Sequence, residues 1–351
     1  MSTVNPSLAA RLGRLRGANN EGVLAMVLLA LVIGMSIANP AFFSLPTAFS
    51  ILRSSIVPLI FALGVLMVII SGGIDVSFAA IAVFAAYTTV QVYLSGATDF
   101  GLVAAFLLAL LIGASLGAIN GFLIARFRLS TLIVTLGTQG IFKGALLTYV
   151  GSRYIADLPS SMAAVSTTNL FAVDTPGGGA FLHILVVPAV LMAIGLAWIL
   201  RKTMFGRSIY AIGGDVEAAR RAGIRVVRTQ MVVYVIAGVM AAVGGMVYVI
   251  MERSASPQIL VGSELDIIAA VVLGGASIFG GRGSVLGTTL GVLLVQVIFN
   301  SLILAGVPSA WQRTAVGLLL IVGVGIQAVA SRKSSRANVM DQTIQKQEVP
   351  A

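Results

Sequence analysis

The sequence predicts an all-α, polytopic membrane protein with about ten transmembrane helices. Three observations carry that prediction. The chain of 351 residues is 58% hydrophobic and only 10% charged, against about 25% charged in an ordinary soluble domain. From Ser54 to Ala125 the only charged residues are Asp75 and Asp99, far too few to solvate a soluble surface. Apolar runs of about 20 residues, the length that crosses a bilayer, recur along the chain.

Ten segments fit that length. The first, 22–38, follows Arg11, Arg14 and Arg16. It is long for the apolar region of a signal peptide, and no small-residue cleavage site follows it, so it reads as an uncleaved first span. Spans 54–71 and 75–95 meet at Gly72-Gly73. Spans 100–125 and 130–150 follow. A polar, slightly acidic outer loop covers 151–180, with Pro159, Pro176 and Gly177 to Gly179. Spans 181–200 and 229–251 come next. Spans 264–281 and 283–305 meet at Gly280-Gly281-Arg282, and 309–330 closes the set. The two glycine joins are either surface turns or breaks within the membrane depth. The expected organisation is an N-terminal segment 1–21, a transmembrane domain 22–330 and a polar, disordered tail 331–351.

Lysine and arginine set the orientation. With the N-terminus inside, the inside segments are 1–21, 126–129, 201–228, the turn at Arg282 and 331–351, and they hold 17 of the 22 basic residues. Both termini are therefore expected in the cytoplasm. The net charge of +10 then faces the anionic inner leaflet. No basic domain interleaved with aromatics is present, which argues against nucleic acid as a partner; membrane lipid is the expected one.

Two glycine ladders stand out. Gly113, Gly117 and Gly121 lie in span four, and Gly283, Gly287 and Gly291 in span nine. Such spacing lets helices approach closely where lipid supplies no hydrophobic drive. The ladders lie five spans apart. So do "GIDVSFAAIAVFAA", with Asp75 at the start of span three, and "ELDIIAAVVLGGAS", with Asp266 at the start of span eight. An odd offset makes the second half a possible inverted five-span repeat, an arrangement found in transporters.

The chemistry for catalysis is missing. There is no cysteine and one histidine, His183, at the outer start of span six. No catalytic or metal-ligating residue is expected. No Gly-Lys dipeptide occurs, so the phosphate-binding P-loop is absent. Ionisable residues are scarce within the spans, which argues against ion coupling; Lys143 is the one charge well inside a span. The interior polar groups are mostly neutral: Asn120, Thr135, Gln139, Gln296 and Asn300, with Asp75 at a helix end. They suit either a route for a neutral, hydroxylated solute or hydrogen bonds between helices.

Between spans six and seven lies "AIGGDVEAARRAGIRVV", residues 211–227. Asp215 is a good N-cap after the flexible Gly213-Gly214 pair. Glu217 lies in the first turn and stands four residues before Arg221, in the better orientation for an ion pair. Gly223 fits a left-handed stop. Val216, Ala219 and Ala222 or Gly223 form a small apolar face. The result is a cytoplasmic helix at about 215–222, too short to be stable alone. It either lies on the headgroups or docks on a soluble partner.

"GGDVEAARRAGI" resembles the coupling-helix motif of ATP-binding-cassette importer permeases. Together with "SGGIDVSFAAI" (71–81), "TLGTQGIFKGAL" (135–146) and "ELDIIAAVVLGGASIFGGRGSVLGTTLGVL" (264–293), it makes the chain similar to permeases of the ribose/xylose-type sugar importers. The similarity spans about residues 25 to 330. It implies a multi-pass permease of the bacterial cytoplasmic membrane, paired with a second copy or a sister permease. It further implies a cytoplasmic ATPase carrying two nucleotide-binding domains and a periplasmic or lipid-anchored sugar-binding protein. ATP and magnesium would sit on that ATPase, with no cofactor in this chain. By position, Asp215, Glu217, Ala218, Ala219, Arg220, Arg221, Gly223 and Ile224 would seat in the ATPase groove. The chain departs from the family at Phe78-Ala79, where a Val-Gly pair is commoner.

The resulting expectation is a transport subunit, not an enzyme, for a neutral sugar or related polyol. A nucleoside or a furanone-type signal molecule fits the same architecture. An ATP-independent facilitator or secondary transporter for a neutral solute, an ATPase-anchoring scaffold and a permease of exporter polarity share some of these features.

Overall fold

A computed structural model of the chain describes residues 21–96, 99–175, 178–258, 260 and 262–308, with 311, 314, 317, 318 and 321. The segment 1–20, the tail 331–351 and nearly all of the expected span 309–330 lie outside the described residues. In chain order the elements are α1 (Glu21–Ala38), α2 (Leu45–Ile70), α3 (Phe78–Ser95), α4 (Leu102–Phe127), α5 (Thr131–Val150), α6 (Ser160–Ser166), β1 (Asn169–Thr175), β2 (Gly178–His183), α7 (Val186–Lys202), α8 (Met204–Gly214), α9 (Val216–Arg221), α10 (Val226–Glu252), α11 (Glu264–Leu273) and α12 (Val285–Leu304).

The chain is a polytopic helical membrane protein. Among the described residues, α1, α2, α3, α4, α5, α10 and α12 are long and apolar enough to cross a bilayer. The pair α7–α8, bent by 74°, is an eighth candidate if counted as one span. The expectation of a span at 264–281 needs correction. Helix α11 stops at Leu273 after 10 residues, a rise of about 15 Å and half the hydrocarbon thickness. Gly274 and Gly275 end it, and Gly275, Gly280, Gly281 and Gly283 all have positive φ, which side-chain-bearing residues rarely adopt.

Helix α2 is the centre of the bundle. Its residues are buried almost without interruption from Ser55 to Ile70, as expected of a helix that is apolar all round. Helices α10, α12, α7 and α11 and strand β2 pack on it. The closest helix pair is α4 on α10. A Cβ at Gly113 would overlap the Gly238 carbonyl oxygen, one at Gly117 that of Tyr234, and one at Gly121 would come within 3.0 Å of that of Met231. Here close backbone approach holds two helices together. The second ladder takes a different partner. Gly287 lies against Gly274 and Gly291 against Ala270 of α11, whereas Gly283 precedes the helix. The two halves therefore differ where a repeat would align them: α3 has 18 residues and α11 has 10.

The outer loop holds more order than its composition suggests. The expected start of span six at 181 is instead strand β2, paired antiparallel with β1 as Phe171↔Leu182 and Val173↔Ala180. Short apolar runs, Leu170 to Val173 and Ala180 to Leu182, on either side of a Pro-Gly turn signal give this segment hairpin character. Ala180, Leu182 and His183 are buried while β1 is exposed. His183 Nδ1 accepts from the Leu185 amide at 3.2 Å, and Nε2 lies 3.2 Å from the Ser166 carbonyl oxygen. Burial holds its pKa below the usual range. The imidazole is thus a neutral structural link between β2 and α6.

Asp99 fastens the same loop. Its carboxylate accepts from the Ser161 amide at 2.7 Å, the Ser160 hydroxyl at 2.8 Å and the Gly101 amide at 2.9 Å. These donors, the Ser161 amide foremost, push its pKa well below the ordinary carboxylate value. A depressed folded pKa means that the tether is intact above the unfolded value of about 4 and is lost as pH falls further. Asp99→Asn should therefore loosen α6 at neutral pH, seen as faster amide hydrogen exchange at Ser160–Ser166. The wild-type chain should show the same loosening only in strong acid.

Candidate coupling segment and translocation cavity

Helix α9 is short but fully capped. Asp215 Oδ1 accepts from the amides of Glu217 at 2.8 Å and Ala218 at 2.9 Å. Those donors, Ala218 first, lower its carboxyl pKa. At the other end the Ile224 amide donates to the Ala219 carbonyl oxygen at 3.1 Å and the Gly223 amide to that of Arg220 at 3.0 Å. Gly223 has φ +83. This is the Schellman stop, with Ile224 and Ala219 making its hydrophobic contact. Ala219 is buried in a small cluster with Ile212 and Val226. Asp215 to Ala218 and Arg220 to Gly223 are exposed. The helix is anchored by one alanine and offers nearly everything else outward.

Two details differ from expectation. Glu217 pairs with Arg220 at 2.7 Å, because the Arg221 guanidinium turns back to the Glu217 carbonyl oxygen at 3.4 Å. Val216 is exposed and adds nothing to the buried face.

Gly213 and Gly214, expected as a flexible link, are the last residues of α8. A Cβ at Gly213 would overlap the carbonyl oxygen of Ile70 at the end of α2, and would come within 2.5 Å of the Gly281 amide nitrogen. A Cβ at Gly280 would lie 2.6 Å from the Gly213 carbonyl oxygen and 2.8 Å from Gly72 Cα. The Gly281 amide donates to the Ile70 carbonyl oxygen at 2.9 Å, and the Tyr210 hydroxyl on α8 donates to that of Gly283 at 2.8 Å. Three chain breaks thus meet backbone to backbone: the α2–α3 join, the end of α8 and the turn after α11. The two glycine joins that the sequence singled out belong to one junction.

Beyond Gly72 and Gly73 lies a buried polar cluster. Asp75 Oδ1 accepts from the Ser77 amide at 2.7 Å and its hydroxyl at 2.6 Å. Asn120 donates to the Ser77 hydroxyl oxygen at 2.7 Å. The Ile74 amide donates to the Thr131 hydroxyl at 3.1 Å, and the Thr135 hydroxyl to the Ile74 carbonyl oxygen at 3.2 Å. Asp75, Asn120 and Thr135 therefore pin the 71–77 link to α4 and α5. None of the three is among the residues that wall the two cavities described next.

Gln139 does line one. A small, half-open cavity is walled by Ala79, Ala80 and Val83 of α3, by Gln139, Lys143 and Leu146 of α5, and by Pro257, Leu260 and Glu264. The Gln139 amide donates to Glu264 Oε1 at 2.8 Å. A second small cavity shares Val83 and Leu260 with it and adds Tyr87 and Tyr248. Gln296 and Asn300 lie elsewhere. Asn300 is tied to the Gln296 carbonyl oxygen at 2.9 Å and to Ser50 of α2 at 3.5 Å. Sequence reasoning passed over Lys143 and Glu264 as site residues. The signal was there: Lys143 is one helical turn from Gln139 on the same face.

The chain matches the family described as "Branched-chain amino acid transport system / permease component" over residues 47–324. The chain belongs to this family. Relatives include the autoinducer 2 import system permease protein LsrC of Yersinia pestis (strain Pestoides F), 35% identical over 303 residues, which cover 86% of this chain and 83% of that protein. The LsrC of Yersinia pseudotuberculosis serotype O:3 (strain YPIII) matches with the same figures. No solved structure matches. The resemblance to sugar-type ATP-binding-cassette permeases thus holds, and membership makes the chain a transport subunit and not an enzyme. It is a multi-pass protein of the bacterial inner membrane.

In such a permease the glycine junction joins α8 to both walls of the cavity, α3 through Gly72 and α11 through the 274–284 turn. Gly213→Ala should disturb that junction by about 1–3 kcal/mol of overpacking. Gly214→Ala should not, since a Cβ there meets nothing within 4 Å. Reconstituted transport, compared at equal membrane levels, should fall sharply for the first variant and stay near wild type for the second.

Proposed function

We propose that this chain is the permease subunit of an ATP-binding-cassette importer that carries a neutral sugar or related polyol by alternating access. Its partners in this reading are a cytoplasmic ATPase with two nucleotide-binding domains, a periplasmic or lipid-anchored binding protein, and a second permease copy or sister permease. ATP and magnesium reside on the ATPase. The observation that carries the proposal is the outward-facing, doubly capped helix α9, which follows α8 at the glycine junction and so connects to elements that wall the cavity. A docked ATPase would grip the exposed residues from Asp215 to Ile224, and its closure would move α8 against the junction.

The charge pattern supports this placement, because α9 lies in the most basic inter-helix segment and so on the cytoplasmic side. The relatives named for autoinducer 2 import support a furanone-type signal molecule as the second reading of the substrate. Both solutes carry hydroxyls, for which Gln139, Lys143 and Glu264 in the cavity wall are hydrogen-bonding partners.

Ala218 is exposed, so Ala218→Trp should leave the permease folded while blocking the groove contact. Co-purification of the ATPase and ATP-dependent uptake should both fall by at least about tenfold, equivalent to some 1.4 kcal/mol of lost association. Uptake by the permease in proteoliposomes without any ATPase would instead support a facilitator, and wild-type association by the variant would remove α9 from the docking role.

A further inference from the structure

We infer that Lys143 and Glu264 form a charge-balanced recognition pair inside the permease and select an uncharged, hydroxyl-bearing solute against ionic ones. This rests on the transport reading above and assigns its selectivity to particular atoms.

The cavity holds one formal cation and one formal anion, Lys143 on α5 and Glu264 at the start of α11. The Arg220–Glu217 pair is the ion pair found within 4.0 Å among the described residues, so the two charges face a common space without closing on each other. Glu264 is buried and is positioned by Gln139 at 2.8 Å. That contact commits one carboxylate oxygen and the Gln139 amide nitrogen. It leaves the Glu264 Oε2 and the Gln139 carbonyl oxygen as acceptors, with the Lys143 ammonium as donor. A hydroxyl donates and accepts at once. A solute with adjacent hydroxyls therefore satisfies all three groups without adding charge. An anionic solute would gain Lys143 but confront Glu264, and a cation would meet the reverse conflict. The α3 residues of the wall, Ala79, Ala80 and Val83, are apolar, so its polar side chains come from α5 and α11. Glu264 begins α11, whose far end runs into the glycine junction. A rearrangement there would move the carboxylate relative to Lys143 and change the grip on the solute.

The chain lacks cysteine, so one introduced thiol reports on the cavity alone. Ala80→Cys in the full-length permease, in nanodiscs, would be labelled with a small uncharged maleimide. Ribitol, L-leucine and ribose 5-phosphate serve as neutral, zwitterionic and anionic probes. Ribitol should slow labelling, and the other two should not. Either Glu264→Gln or Lys143→Met, added alone, should weaken the ribitol protection roughly tenfold, because each leaves its partner's charge unbalanced. The double variant should recover part of it, an outcome that general loss of folding does not give. Protection by leucine or ribose 5-phosphate in place of ribitol, protection by no probe, or unchanged protection in both single variants would overturn the assignment. The same preparations are assayed for ATPase binding. Binding retained without protection leaves the transport reading standing and removes only the recognition pair. Protection retained without binding does the opposite.

Discussion

Everything in this fold depends on how closely two backbones come together. In lipid an apolar side chain gains nothing by leaving one hydrocarbon surface for another, so helices are held by fit. Gly113, Gly117 and Gly238 let α4 and α10 touch along their main chains. Gly244 and Gly245 let α10 cross the ring of Phe61 and the backbone at Ala82. Around that frame α2 is buried almost without interruption from Ser55 to Ile70, and helices α7, α10, α11 and α12 pack on it. The same kind of contact then recurs at the basic end, where Gly72, Gly213 and Gly280 bring three chain breaks together.

This recurrence divides the molecule into two regions with different work. The α4–α10 seam is long and continuous and resists sliding. The glycine junction is small and made of chain ends. Helix α9 stands on one side of it, and on the other side lie the α2–α3 link and the turn after α11. The Asp75–Ser77–Asn120 cluster satisfies the polar groups of that link inside the bundle. Together with Thr131 and Thr135 on α5, it pairs backbone groups of the 71–77 link that would otherwise be costly to leave bare in apolar surroundings. The cavity opens further along α3 and α5, away from the basic end, with Glu264 at the head of the short helix.

Much of this was legible in the sequence, and the reasons are physical. Composition and run length gave the membrane-spanning class, because few charges over such a length leave no other solvent. The caps of α9 were readable because Asp215 and Gly223 act through their own neighbours in sequence. Side chains with several choices were harder. Glu217 has Arg220 and Arg221 within reach, and only the fold decides between them. The half-length of α11 was hidden because Val271 to Ile278 reads as apolar regardless of whether the backbone is helical. Gly213 was read as a flexible residue because sequence shows that a side chain is missing but not what occupies its space. The hairpin at 169–183 was lost in a segment whose glycines and proline suggested an irregular loop. Lys143 and Glu264 were passed over as site residues because they lie far apart in sequence, and only packing brings them to one cavity.

The glycine junction has a consequence for inheritance. It contains almost no side chain, so it has no chemistry to tune by conservative exchange. Any missense change at the codons for Gly213 or Gly280 adds atoms where the neighbouring main chain already stands. Polymorphism should accordingly gather on the lipid-facing surfaces of α1 and α5, where added bulk meets only hydrocarbon, and be rare at this small crossing. A lineage could change what it carries by altering the cavity while keeping the same transmission beneath it.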